Sequence, residues 1–189
     1  MLKSMKSDFE VNWGNIEKGL LNYKEIMSLF KCSENIDKDE VLQRRYKSFY
    51  KMNTARKDAQ FYKIYFRVLK KAKEGDSIDL LSVLSQLKRI SNKNEISFAS
   101  KLLATIDPKL PIWDSRVRNH VNEMSDLKLK ASYRTIEECV QAYNSLLSWY
   151  REFMKTDKAK KMIAEFDFHF PNQKITSIKK VDFIFWQTK

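Results

Sequence analysis

Glycine and proline are scarce in this chain, whose 189 residues include only three of each. Loops that bind dinucleotides or phosphates need backbone conformations that glycine supplies, and neither a GxGxxG nor a GxxxxGK pattern occurs. The tight turns of β-sandwiches and small barrels also depend on glycine. The scarcity therefore excludes these nucleotide-binding motifs and argues against an all-β fold.

Apolar residues recur at spacings of three and four along most of the chain, a pattern that is typical of amphipathic helices. Helical faces of this kind bury one another around a common core. We therefore predict an all-α protein that forms a single compact multi-helix domain over residues 1–189. The final stretch, Ile175 to Trp186, fits a short helix but is also compatible with an extended segment.

Residues that commonly cap helices precede several of these apolar series. The spacings Asp37–Glu40 and Thr135–Glu138 are those of capping boxes, in which two side chains satisfy free amides reciprocally. Single capping residues predict three further helix starts, at Asn15, Thr54 and Ser77.

Cysteine and histidine are also rare, with two of each. These numbers do not support a disulfide framework or a zinc site, so we expect no metal and no cofactor. Low cysteine use is typical of a reducing compartment, and Met1 to Glu10 lacks the apolar segment of a signal peptide. We therefore expect a cytoplasmic protein that does not associate with membranes.

Positive charge is the strongest compositional signal, with a formal net charge of +12. Between Val41 and Lys73, eleven basic residues accompany one acidic residue, Asp58. Such a segment attracts polyanions, nucleic acid first and an anionic membrane second, and a solvated helix face is the alternative interpretation. Aromatic residues in the same segment have the spacing of a buried stripe. The candidate DNA-contacting residues here are Arg44, Arg45, Arg56 and Lys57.

One segment has a pattern unlike the rest of the chain. Ser97 or Ser100 begins a predicted helix of small and apolar residues that ends at Asp107-Pro108. The sequence Pro-Ile-Trp at 111–113 then leads as an extended step to Asp114. An aspartate at this position can cap the following helix, which by itself is a sufficient reason for its presence.

The sequence PIWDSRV at 111–117, preceded by this helix, resembles the active-site segment of the helix-hairpin-helix DNA glycosylase superfamily. Residues 97–103 and 180–186 are similar to a glycosylase-like family of bacteria. The resemblance centres on residues 90–122 and implies a glycosylase-like core over about residues 77–122. It implies duplex DNA as the partner and a helix-hairpin-helix fold.

The resemblance also implies a mechanism. Enzymes of this superfamily flip a base out of the duplex and cleave its N-glycosidic bond through an oxocarbenium-like transition state. Asp114 would stabilise the developing positive charge. Ser97 lies near the position of the lysine nucleophile of bifunctional members, which implies attack by water. Lys101 follows one turn later on the same helix face, and a lyase step is possible if its amine reaches the sugar.

The hairpin departs from the superfamily pattern because residues 90–95 contain no glycine. Asn92 and Asn94 tolerate left-handed turns, and with Lys93 they are the candidate DNA contacts of the hairpin. Arg116 and Arg118 suit phosphate contacts or simple solubility, and Trp113 is either a packed ring or a stacking group. The missing glycines leave two alternatives open, a nucleic-acid-binding module without chemistry and a basic domain that binds an acidic protein.

Overall fold

Nine α-helices account for most of residues 11–188, the part of the chain that the computed structural model describes. The expectation about a signal peptide concerns residues outside this range. The helices are α1 (Trp13–Cys32), α2 (Glu40–Phe49), α3 (Ala59–Lys73), α4 (Leu80–Ser91), α5 (Ile96–Ile106), α6 (Ser115–Met124), α7 (Ile136–Phe153), α8 (Asp157–His169) and α9 (Ser177–Gln187). A short 3-10 turn (Met52–Ala55) separates α2 from α3.

The prediction of an all-α fold is confirmed for this part of the chain, whose only strand-like feature is an isolated bridge between Val11 and Thr188. Buried residues from every helix join one hydrophobic core. Residues 175–186 lie largely in α9, so the helical alternative for this stretch is the right one. Among the described helices, none has the length and apolar character needed to cross a membrane.

Two predicted caps are confirmed. Thr135 and Glu138 form a reciprocal capping box at the start of α7. Asp114 caps α6 by accepting a hydrogen bond from the Val117 amide at 2.9 Å. In both places no more than two residues separate the capping side chain from the apolar series that follows, which places the helix start closely.

Four other predicted helix starts are wrong by a few residues. In each case another capping side chain nearby takes the role: Asn12 instead of Asn15 at α1, Asp39 instead of Asp37 at α2, Asp58 instead of Thr54 at α3 and Asp79 instead of Ser77 at α4. Asp37 instead lies 3.4 Å from the Lys70 ammonium, and Thr54 lies inside the 3-10 turn. Helix α5 begins at Ile96 without a side-chain cap, so neither Ser97 nor Ser100 begins it.

Helix α5 lies at the centre of the molecule, and every residue from Phe98 to Thr105 is buried. Aromatic residues of α2 and α3 cover one side of it, which confirms the prediction that the aromatic stripe of residues 41–73 belongs to the core. Phe61 and Tyr65 both contact the Phe98 ring edge-on. Contacts with α4 cover a further side.

Buried tyrosine hydroxyls tie this aromatic layer to the backbone of α5. The Tyr46 hydroxyl donates to the Lys101 carbonyl at 3.2 Å, lies 2.9 Å from the Thr105 hydroxyl and lies 3.0 Å from the Tyr65 hydroxyl. Tyr65 donates to the Phe98 carbonyl at 3.2 Å. Burial raises the pKa of Tyr46 and Tyr65 well above the usual range, so both remain protonated donors.

We expect Tyr46→Phe to lower the free energy of unfolding by about 0.5–1.5 kcal/mol, because it removes the contacts of the buried hydroxyl with the Lys101 carbonyl and with the Thr105 and Tyr65 hydroxyls. Urea unfolding should show a lower midpoint with an unchanged slope. Tyr62→Phe is the matched control, since the Tyr62 hydroxyl is only half-buried and has one partner, the Met52 carbonyl. Equal losses in the two variants would contradict a special role for the buried network.

Candidate functional site

The hairpin between α4 and α5 is built on asparagine in place of glycine. Asn92 ends α4 in the left-handed conformation, with a φ of 53°, as its tolerance for such turns predicts. The side-chain amide of Asn94 donates to the Tyr133 carbonyl at 3.0 Å, which ties the hairpin to the segment before α7. Lys93 is exposed at the tip. Of the three candidate contacts in the hairpin, Asn92 and Lys93 therefore face solvent.

Lys101 is a buried lysine on α5, with 9% of its surface exposed. Its ammonium lies 5.7 Å from the centre of the Phe98 ring, a cation–π distance. Burial lowers the pKa of Lys101 below its usual range, and the nearby Asp114 carboxylate partly opposes this effect. The structure thus brings Lys101 and Asp114 into one electrostatic environment.

Asp114 is half-buried at the first turn of α6, where it is also the cap. Ser97 is half-buried in the first turn of α5, one turn before Lys101. Trp113 has 2% of its surface exposed and packs edge-on against Tyr133, so the structure places the ring among core side chains. Its indole N–H is buried and has no hydrogen-bond partner among the described residues.

The segment that delivers Asp114, residues 107–114 between α5 and α6, is here called the aspartate loop. Side chains of α5, α7 and α9, and of the residue that caps α9, bond to its backbone. The Trp113 amide donates to the Ser100 hydroxyl at 2.9 Å, and Tyr143 donates to the Pro111 carbonyl at 2.8 Å. Thr176 donates to the Pro108 carbonyl at 2.6 Å, and Lys179 donates to the Leu110 carbonyl at 3.2 Å. Because the loop has little regular structure, these bonds determine where Asp114 lies.

A buried ion pair supports one of these bonds. The Lys179 ammonium lies 2.9 Å from the Asp182 carboxylate, and the two side chains are 2% and 1% exposed. Tyr150 donates to the same carboxylate at 2.7 Å. Burial raises the pKa of Asp182, while the Lys179 charge opposes that effect and the Asp114 charge adds to it. Asp182 thus lies within electrostatic range of the candidate site.

Sequence reasoning missed this support. Lys179 and Asp182 are three residues apart, which is a common spacing for an ion pair on an exposed helix face. Nothing in that spacing indicates burial, and the contact with the Leu110 carbonyl joins residues 69 apart in sequence.

The two arginines of α6 differ in their surroundings. Arg116 is exposed in the first turn, immediately after the aspartate loop. Arg118 is half-buried, and its guanidinium donates to the Lys130 carbonyl at 3.4 Å. Arg116 therefore has the greater freedom to contact a phosphate.

The basic residues of α2, α3 and the turn between them also divide into two groups. Arg45 pairs with Glu25 at 3.1 Å, and Lys57 pairs with Glu95, so both candidates already have partners within the fold. Arg44 and Arg56 are exposed. The structure therefore gives Arg45 and Lys57 structural contacts and leaves Arg44 and Arg56 facing solvent.

Both histidines stack on aromatic rings, His120 on Phe185 with centres 5.0 Å apart and His169 on Trp13 at 4.0 Å. Within residues 11–188, no group of three or more metal-binding side chains lies together. Comparisons with protein-family models, with curated proteins and with solved structures return no match.

We expect Lys179→Met to lower the free energy of unfolding by about 3–5 kcal/mol, because the Asp182 carboxylate is left buried without its counter-charge. The double variant Lys179→Met/Asp182→Leu removes both charges and should be more stable than the single variant. Urea unfolding measures both.

The matched control is Lys155→Met, which removes an exposed pair with Glu152 and should cost less than about 1 kcal/mol. A double variant that is no more stable than Lys179→Met would show that the two buried charges are not coupled.

Proposed function

We propose that this protein binds duplex DNA and acts on a nucleotide extruded from it, as the resemblance to helix-hairpin-helix DNA glycosylases implies. Asp114 stabilises positive charge on the sugar, and Lys101 is the candidate nucleophile. The observation that carries the proposal is a buried lysine of lowered pKa on the helix that follows the hairpin, within electrostatic range of the half-buried Asp114 carboxylate.

A lowered pKa is what a lysine nucleophile requires, because only the neutral amine has a free electron pair. The amine attacks C1′ of the extruded nucleotide, and the C1′–N bond breaks with its electrons leaving on the base. The base takes up the proton that the attacking amine loses. The C1′–O4′ bond then breaks, O4′ takes up the remaining N–H proton, and Lys101 is left joined to C1′ as a Schiff base; no oxidant or reductant is needed.

The position of Asp114 suits a stabilising role. Asp114 is only half-buried, so a sugar can approach its carboxylate. The aspartate loop holds the residue at the start of α6. An anionic group in a partly desolvated place stabilises an oxocarbenium-like sugar more strongly than one in water. Ser97 is half-buried one turn before Lys101, and it supports the alternative in which water is the nucleophile.

The test uses duplexes with and without an abasic site, so it needs no knowledge of the target base. We expect tighter binding to a stable abasic analogue than to the undamaged duplex, with a preference that persists as salt rises. With a natural abasic site, borohydride should trap a covalent adduct. Lys101→Met should remove the adduct.

Asp114→Asn separates catalysis from capping, since asparagine caps helices about as well as aspartate. We expect adduct formation to fall by about 100-fold or more, with binding and stability retained. An abasic preference without an adduct would favour attack by water. Equal, salt-sensitive binding to both duplexes without an adduct would contradict the proposal and favour a binding module without chemistry.

The charge interaction between Lys101 and Asp114 can be measured through the titration of Lys101. A lysine carbon label followed by NMR should show Lys101 losing its proton at lower pH than an ordinary lysine, because burial disfavours the charged form. Asp114→Asn should move this titration lower still, since it removes the negative charge that favours the ammonium. Lys101→Arg assigns the signal, and an unchanged titration in Asp114→Asn would contradict the interaction.

A further inference from the structure

The turn between α2 and α3, residues 51–57, presents basic side chains on a well-held backbone and is here called the basic turn. Lys51 and Arg56 flank the 3-10 turn, and both adopt the left-handed conformation, with φ of 51° and 47°. Left-handed backbone is disfavoured for residues of this kind. The surrounding contacts must therefore hold the turn in this shape.

Three contacts hold it. Met52 is buried in the core, and its carbonyl accepts a hydrogen bond from the Tyr62 hydroxyl at 2.8 Å. The Thr54 hydroxyl donates to the Lys51 carbonyl at 2.8 Å. At the far end, the Lys57 ammonium forms an ion pair with Glu95, and both side chains are largely buried. The turn is thus attached to α3 on one side and to the start of α5 on the other.

The attachment through Glu95 places the basic turn beside the hairpin, since Glu95 is the residue that immediately precedes α5. It also places the turn near the candidate nucleophile. The Phe98 ring has the Lys57 ammonium 5.8 Å from its centre and the Lys101 ammonium 5.7 Å from it. The end of the basic turn and Lys101 therefore both lie within cation–π distance of the same aromatic ring.

The charge of Lys51 and Arg56 is not neutralised by the fold. Both side chains are exposed, and neither has an ion-pair partner among residues 11–188. The only acidic residue between Val41 and Lys73 is Asp58, whose carboxylate is occupied as the cap of α3, where it accepts a hydrogen bond from the Phe61 amide at 2.7 Å. Lys51 and Arg56 are therefore exposed cations without an ion-pair partner in the described part of the chain, and the one acidic residue of their segment is engaged as a helix cap.

We propose that the basic turn is a second backbone-contacting segment for duplex nucleic acid, in which Lys51 and Arg56 bind phosphates next to those reached from the hairpin. The proposal rests on the proposed function for the class of ligand. It assigns the contact to Lys51 and Arg56 and gives Arg45 and Lys57 a structural role. A held turn loses little conformational freedom on binding, which favours phosphate contacts made from it.

The left-handed conformation allows a variant that removes charge without disturbing the backbone. Asparagine accepts this conformation more readily than lysine or arginine, so Lys51→Asn/Arg56→Asn should fold at least as well as the wild type. The matched control is Lys18→Asn/Lys161→Asn, which removes the same charge from exposed positions on α1 and α8.

The measurement is the affinity of the full chain for undamaged duplex DNA at a series of salt concentrations. Loss of two phosphate contacts should reduce the slope of log affinity against log salt by about 2. At about 0.1 M salt this corresponds to a weakening on the order of tens-fold. The control variant should keep the slope of the wild type. The abasic duplex should be weakened by the same factor, because phosphate contacts are made to both.

Three other outcomes are distinguishable, and each contradicts at least one of the two proposals. If the turn variant behaves like the control, the basic turn does not contact the duplex, whatever Asp114 and Lys101 do. If the turn variant weakens but the wild type shows neither abasic preference nor an adduct, the basic turn stands and the glycosylase-like function fails. If the wild type binds anionic lipid vesicles but no duplex, both proposals fail.

Discussion

The enclosure of α5 is the constraint on which the rest of the structure depends. A helix satisfies its interior backbone groups itself, but where it is buried on almost every side its side-chain hydroxyls and its end groups must find partners in neighbouring residues rather than in water. Tyr46 and Tyr65 donate hydrogen bonds to carbonyls of α5 from one side, and the Ser100 hydroxyl accepts one from the aspartate loop on another. The same enclosure buries Lys101, so the packing of the core and the chemistry of the candidate site have one cause.

Two buried lysines, Lys101 on α5 and Lys179 on α9, differ in the polar groups that surround their ammonium groups. Lys179 has a carboxylate at 2.9 Å and a carbonyl at 3.2 Å, which is the environment of a structural cation. Lys101 has an aromatic ring and a more distant carboxylate, and burial lowers its pKa. Lys179 therefore has a counter-charge within hydrogen-bond distance, whereas burial of Lys101 favours its neutral form. The resemblance to glycosylases placed Ser97 near the nucleophile position and Lys101 one turn further along the helix, and the role of either residue stays a prediction.

Sequence patterns predicted the helical class, the cap at Asp114 and the capping box at Thr135, because each depends on residues a few positions apart. The starts of α2 and α3 were misplaced since Asp37 competes with Asp39, and Thr54 with Asp58; which one caps depends on the path of the chain between helices. The support of the aspartate loop by Lys179 was out of reach, because it joins residues distant in sequence. The pairing of Lys57 with Glu95 was missed for the same reason.

The positive surface follows from how the chain uses its acidic residues. Several helices begin at an aspartate whose carboxylate is occupied by backbone amides: Asp39, Asp58, Asp79 and Asp114. Other carboxylates, such as Glu95 and Asp182, pair with buried or half-buried lysines. Acidic groups are thus largely committed to holding the fold, and the surplus of basic residues remains at the surface. At the basic turn, where the exposed Lys51 and Arg56 have no ion-pair partner among residues 11–188, that surplus gives the positive local potential that the proposed duplex contact requires.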